Sequence, residues 1–97
     1  MFPLDFNRNF ESEANGHYRW YQARQLGLGR DFLDDLDELL NDIHANPARF
    51  ALVTATIRQG MMSRFPFVVY YRTKPDRVRI LALWHTARGS SAWKSRR

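Results

Sequence analysis

The sequence contains no cysteine, so neither a disulfide framework nor a thiolate metal site is open to it, and the cytoplasm is its expected compartment. Its histidines, His17, His44 and His85, stand far apart, and none pairs with another at the close spacing of zinc sites. No metal is expected. Long hydrophobic runs are missing too. The stretch from residue 1 to 20 includes Asp5, Glu11 and Glu13 and has no continuous apolar core, which predicts no signal peptide. No later stretch reaches membrane-spanning length, so no membrane association is expected. There is no GxSxG, no phosphate-binding glycine loop and no dinucleotide fingerprint; Gly27-Leu28-Gly29 reads as a turn between helices. Nothing here predicts a cofactor or a small-molecule substrate.

Acidic residues are scarce in one half of the chain. Residues 1 to 50 carry five Arg/Lys against nine Asp/Glu, a balance of −4, whereas residues 51 to 97 carry ten Arg/Lys and the single acid Asp76, a balance of +9. A half-chain that basic seeks a polyanion or an acidic protein, with an attraction that weakens as salt rises. What the sequence does have is apolar material: 44% hydrophobic residues and 14 aromatics (seven Phe, four Tyr, three Trp) in 97 residues. That suffices for one folded core and is too little for two, so a single domain spanning 1–97 is expected.

Leu4 and Phe6 alternate with Asp5 and Asn7, so residues 3 to 7 read as a strand. From Arg8 to Arg24, Phe10, Ala14, Tyr18 and Tyr21 recur at helical spacing with His17 beside them, predicting a first helix. Gly16 weakens that helix by about 1 kcal/mol relative to Ala, which implies close packing or simple tolerance. Leu26-Gly27-Leu28-Gly29 then breaks the pattern. From Arg30, the residues Phe32, Leu33, Leu36, Leu39, Leu40 and Ile43 form one stripe of a second helix. Asp34, Asp35, Asp37, Glu38 and Asp42 take the other positions and read as its solvated face. Asn46-Pro47 stops it. The short glycine linker predicts an antiparallel helix hairpin, whose stripe should meet Val69, Tyr71, Ile80 or Ala82.

After a loop from Arg49 to Ala55 the period becomes two. Strands are predicted at Ile57 to Ser63, Phe67 to Thr73 and Val78 to His85, the last two joined by a turn at Lys74-Pro75-Asp76. Ile80-Leu81-Ala82-Leu83-Trp84 lacks alternation, so this strand should be central and covered on both faces. The basic, serine-rich tail 86–97 reads as a loop, a short helix or a flexible end. The order β-α-α-β-β-β describes an α+β domain, a helix hairpin packed on a small antiparallel sheet.

Near the strands stand Arg58, Arg64, Arg72, Arg79 and Arg88, with Tyr70, Tyr71, Trp84, His85 and Trp93 among them. Guanidinium groups pair with phosphates and rings stack on splayed bases, so such a set is a device for gripping RNA. The same aromatics can equally be cross-strand packing residues. Arg58, Arg64, Arg72, His85, Arg88 and Trp93 are the candidate target-binding residues. The most concrete expectation is that Arg64, His85, Arg88 and Trp93 meet at one end of the sheet, because the start of one antiparallel strand neighbours the end of the next.

Taken in order, Trp20-Tyr21, Leu28-Gly29 with Phe32-Leu33, Asn46-Pro47 with Arg49-Phe50, Arg64-Phe65-Pro66-Phe67 leading into Val69-Tyr70-Tyr71-Arg72, and Trp84-His85-Thr86-Ala87-Arg88 resemble the RelE/ParE plasmid-stabilisation pattern over about residues 4 to 93. The resemblance implies the toxin of a type II toxin–antitoxin pair, held inactive by a cognate antitoxin. RelE-like members cut messenger RNA on the ribosome, and ParE-like members block DNA gyrase. For RelE-like cleavage the resemblance places Arg88 and Trp93 where a terminal Arg and aromatic belong, with Arg64 and His85 as further catalytic candidates. Yet Val68 stands in place of the third-strand Arg, and Arg58-Gln59-Gly60-Met61-Met62-Ser63 has no lysine. The Arg64-Phe65-Pro66-Phe67 and Tyr70-Tyr71-Arg72 segments look more like the ParE side. Two targets therefore stay open, gyrase first and ribosome-bound mRNA second, with an inactive relative or a basic nucleic-acid-binding module as a third reading.

Overall fold

A computed structural model of the chain describes residues 4 to 97; Pro3, which the sequence assigns to the first strand, lies outside them. Strand β1 (Leu4–Phe6) is followed by helices α1 (Arg8–Arg24) and α2 (Leu28–Ala45), a single 3-10 turn at Pro47–Arg49, and strands β2 (Ala51–Leu52), β3 (Ile57–Met61), β4 (Phe67–Thr73) and β5 (Val78–His85). The strands form one sheet in the order β1-β5-β4-β3-β2. The α+β arrangement of a helix hairpin on a sheet is as the sequence predicts. The sheet differs from the expected antiparallel one in being mixed, because β1 runs parallel to β5, with Leu4 opposite Val78 and Phe6 opposite Ile80. The reason is connectivity: the whole hairpin and three strands lie between β1 and β5, so no tight turn dictates their relative direction.

Helix α1 starts where the Asn7 side chain accepts a hydrogen bond from the Asn9 amide at 2.9 Å. The hairpin is tighter than the sequence suggests. Gly27 turns the chain with φ +90°, a conformation that favours glycine, and α2 begins already at Leu28 rather than Arg30. Gly29 thus lies inside α2, where a Cβ would come within 2.9 Å of Tyr18 and Gln22 on α1. Its bareness lets the two helices close on each other. Gly16 has nothing within 4 Å of its absent Cβ, so it is tolerated at a helical cost and serves no packing role.

The hairpin buries Phe10, Ala14, Phe32, Leu36, Leu39 and Ile43 against Val69, Tyr71, Val78, Ile80 and Leu83 on the front of the sheet. Leu40 is only partly buried. Ala82 is not a contact of this stripe, since it belongs to the core on the back of the sheet with Ile57, Leu81, Trp84 and Trp93. The register between β4 and β5 slips at Tyr70/Tyr71, so Leu81 and Ala82 both join the back core while Ile80 and Leu83 join the front. A bulge of this kind breaks the alternation, and β5 is also central, between β1 and β4.

One further expectation is corrected, and one open alternative is decided. Asp35 is 1% exposed and is no part of a solvated face. Of the alternatives for the tail 86–97, the short helix is the one found: the tail crosses the back of the sheet and forms a 3-10 turn at Ala92–Ser95, with the Trp93 ring stacked on Tyr70 at 3.7 Å and 6°. Arg96 then reaches the edge of β5 beyond β1. There it pairs with both carboxylate oxygens of Glu13 at 2.9 Å and donates to the Leu81 carbonyl, while Glu13 also accepts from the Leu83 amide. One ion pair from α1 and the tail thereby satisfies an edge that no strand covers.

Candidate functional site

Strand β4 begins and β5 ends at the same place, with Phe67 opposite His85 and the Thr86 amide donating to the Pro66 carbonyl. The loop leading into β4 is fixed from beneath. The buried Asp35 carboxylate accepts hydrogen bonds from the amides of Ser63, Arg64 and Phe65 at 3.2, 2.8 and 3.2 Å. A carboxylate that receives three N–H groups is held strongly and holds the loop in return. The Arg64 side chain lies back over the start of α2 and donates to the Asp31 carbonyl at 3.4 Å.

His85 sets its ring edge-on to Phe67 with centroids 5.0 Å apart, and its Nδ1 accepts the Ala87 amide at 3.0 Å. That bond assigns the ring proton of the neutral form to Nε2. His17, reaching from α1, also packs on Phe67, at 4.5 Å. Burial holds the His17 pKa below its usual value, helped by the positive charges of His85 and Arg88, while Glu13 opposes the shift. Arg88 stacks its guanidinium over Trp84 at 3.6 Å, and the Trp84 indole N–H donates to the Ser90 carbonyl. A guanidinium laid on an indole keeps its outward N–H groups for an anionic partner.

Arg64, His85 and Arg88 therefore lie at the same end of the sheet, Arg64 on the helix side and Arg88 over Trp84 on the back. Trp93 does not join them, because its ring is 6% exposed and packed against Tyr70 on the back face. Arg58 and Arg72 lie toward the opposite end, on the Ile57–Arg72 side of the β3–β4 ladder. Arg58 donates to the Phe50 carbonyl at 2.6 Å and to Ala48, tying down the segment before β3. Arg72 reaches Thr56 and the Arg96 carbonyl, each at 3.4 Å. These two arginines hold chain segments in place.

The residues that sequence reasoning missed are His17, Glu13 and Asp35. His17 shares the sheet-facing side of α1 with Phe10, Ala14 and Tyr21, which places it over the sheet without saying which strand end it meets. Asp35 carried no signal, since its neighbours Asp34 and Asp37 are exposed acids. Among the described residues, no group of three or more His, Cys, Asp and Glu could hold a metal ion, and no helix is long and apolar enough to cross a membrane.

The family model described as "ParE toxin of type II toxin-antitoxin system, parDE" matches residues 4–89. A solved structure described as "Chromosomal ParDE TA system from P. aeruginosa" superposes with a TM-score of 0.71 at 20% identity, over 88% of this chain and 96% of that one. At that identity the likeness shows a shared fold. No curated protein matches the chain.

Proposed function

On the premise that the chain belongs to the ParE toxin family of type II toxin–antitoxin systems, we propose that it arrests growth by binding DNA gyrase in the cytoplasm, without hydrolytic chemistry, until a cognate antitoxin neutralises it. The observation that carries this reading is the separation of the groups a nuclease would need. Cleavage of RNA needs its 2′-hydroxyl deprotonated, the phosphate neutralised and the leaving oxygen protonated by groups aimed at one point. Here Trp93 is buried on Tyr70, Arg88 lies over Trp84 on the back of β5, and Arg64 turns away to the Asp31 carbonyl. A basic, aromatic-backed rim of this kind suits a protein partner, for which Arg and Trp are the anchors that matter most.

Ribosome-dependent cleavage is the second reading, favoured by one feature: the half-buried His85, with its Nδ1 taken by the Ala87 amide, lies at the same end of the sheet as Arg64 and Arg88. Two assays on the purified toxin separate the readings. Inhibition of gyrase supercoiling with no cut in ribosome-bound mRNA supports the proposal, and the converse overturns it. Arg88→Ala should weaken gyrase inhibition tenfold or more while antitoxin binding stays measurable. Unchanged potency in that variant would place the target contact elsewhere on the molecule.

A further inference from the structure

We propose that the free end of the helix hairpin, formed by Trp20, Arg24 and Leu26, is a second docking surface of the toxin, and that it engages an acidic segment of the target protein that also carries an apolar side chain. The inference rests on the reading of the chain as a toxin that binds a protein target. Single exposed apolar residues are ordinary on soluble proteins, so the exposure of Trp20 at 53% and Leu26 at 88% is only the starting point.

Three observations give that end its character. First, the Trp20 indole is held in position. The Arg24 guanidinium lies over it at 4.3 Å, Tyr21 meets its ring edge-on at 5.1 Å, and Tyr21 in turn packs edge-on to Phe65 at 4.9 Å. An exposed indole backed by a chain of rings that runs into the core loses little freedom on binding, which is what an interface anchor requires. Rigidity continues into the turn, where the left-handed Gly27 and the close approach at Gly29 fix how α1 meets α2.

Second, the charge is mainly positive, with exposed Asp31 in the first turn of α2 as the acid nearest the turn. From His17 to Arg30 the chain has Arg19, Arg24 and Arg30 and no acid, whereas all nine acids of residues 1 to 50 lie at Asp5 to Glu13 or at Asp31 to Asp42. Arg30 is paired with Asp34 at 3.1 Å, which leaves Arg19 and Arg24 to meet a partner. Apolar Phe6, Phe10, Leu33, Leu36 and Leu40 line a groove of about 350 Å³ away from this end, but Glu11 and Asp37 border it. That groove repels the segment that the hairpin end attracts.

Third, the surface is continuous with the rim described above. Helix α1 passes Leu83 at Glu13, Phe67 at His17 and Phe65 at Tyr21, so Trp20 and Arg24 overrun the end of the sheet. Phe65 adjoins Arg64. One partner surface can therefore touch Arg64, His85 and Arg88 together with Trp20 and Arg24.

The test uses the full chain with Trp20→Ala and, separately, Arg24→Gln. Three readouts are growth arrest on induction, the concentration for half-inhibition of purified gyrase, and the Kd for the purified cognate antitoxin. Melting temperature monitors folding. We expect both variants to lose growth arrest and to need at least tenfold more protein against gyrase, with the antitoxin Kd changed less than twofold. Full potency of Trp20→Ala overturns the proposal, as does an antitoxin Kd weakened as much as potency, which would assign this surface to the antitoxin. Full potency of Arg24→Gln alone overturns the acidic character of the partner. If the parent chain arrests growth but leaves gyrase untouched, the gyrase reading fails and the growth comparison still decides the surface.

Discussion

The two faces of the sheet are covered by different means. On the front, two helices of 17 and 18 residues lay regular stripes across β3, β4 and β5. The back is covered by a tail of a dozen residues that has no periodicity, with Trp93 stacked on Tyr70 and Arg88 and Arg96 disposed around Trp84. A face built on periodic elements spreads its burial over many side chains, whereas one built on a tail concentrates it in a single ring and one ion pair. The same arginines that could serve a target also complete the fold on the back, and this is the physical reason that charge alone does not mark the site.

Truncating one large ring on each face measures that difference. Phe32 is fully buried among Tyr21, Phe65 and Phe67, and Phe32→Ala should cost about 3 to 5 kcal/mol in urea unfolding. Trp93→Ala should sit at the lower end of that range, about 3 kcal/mol, because the tail can settle onto the sheet and shrink the cavity. Equal losses for the two variants would mean that the tail is as firmly built in as the hairpin.

A smaller effect is expected from Asp35→Asn, which keeps the shape but turns an NH2 group toward amides that now donate to carboxylate oxygens. About 1 to 3 kcal/mol should be lost, with faster hydrogen exchange at Ser63, Arg64 and Phe65. Exchange unchanged at those amides would show that the loop is held by Phe65 and Phe67 packing instead.

The smallest effect is the pH response of the front face at His17. A histidine whose folded pKa lies below the usual 6.5 binds its proton more readily when unfolded. Stability is then complete above about pH 6.5 and declines as pH falls through the window between the unfolded and folded values. His17→Gln should flatten that part of the curve of melting temperature against pH. A variant that follows the parent as pH falls below about 6.5 would assign the response to other groups.

The stripe from Phe32 to Ile43, the three long strands and the turn at Lys74-Pro75-Asp76 were legible because each rests on local periodicity or turn chemistry. That Arg64, His85 and Arg88 lie at one end of the sheet followed from strand pairing alone, whereas the expectation that Trp93 joins them did not hold. The role of Trp93 was not legible, since a tail with one aromatic has no period to reveal the face it covers. Nor was the parallel direction of β1, which depends on a partner more than seventy residues away in sequence.

By itself, the sequence determined the class of this protein: the order of elements, a front core set by helical and strand periods, and a strongly basic second half. Only the tertiary structure decided which charges are spent within the fold. Asp35 beneath its loop, Glu13 and Arg96 at the β5 edge, and Arg58 on the Phe50 carbonyl are committed by contacts between residues far apart in the chain. Charge and burial are properties of assembled surroundings, and residue type records only what a side chain can do there.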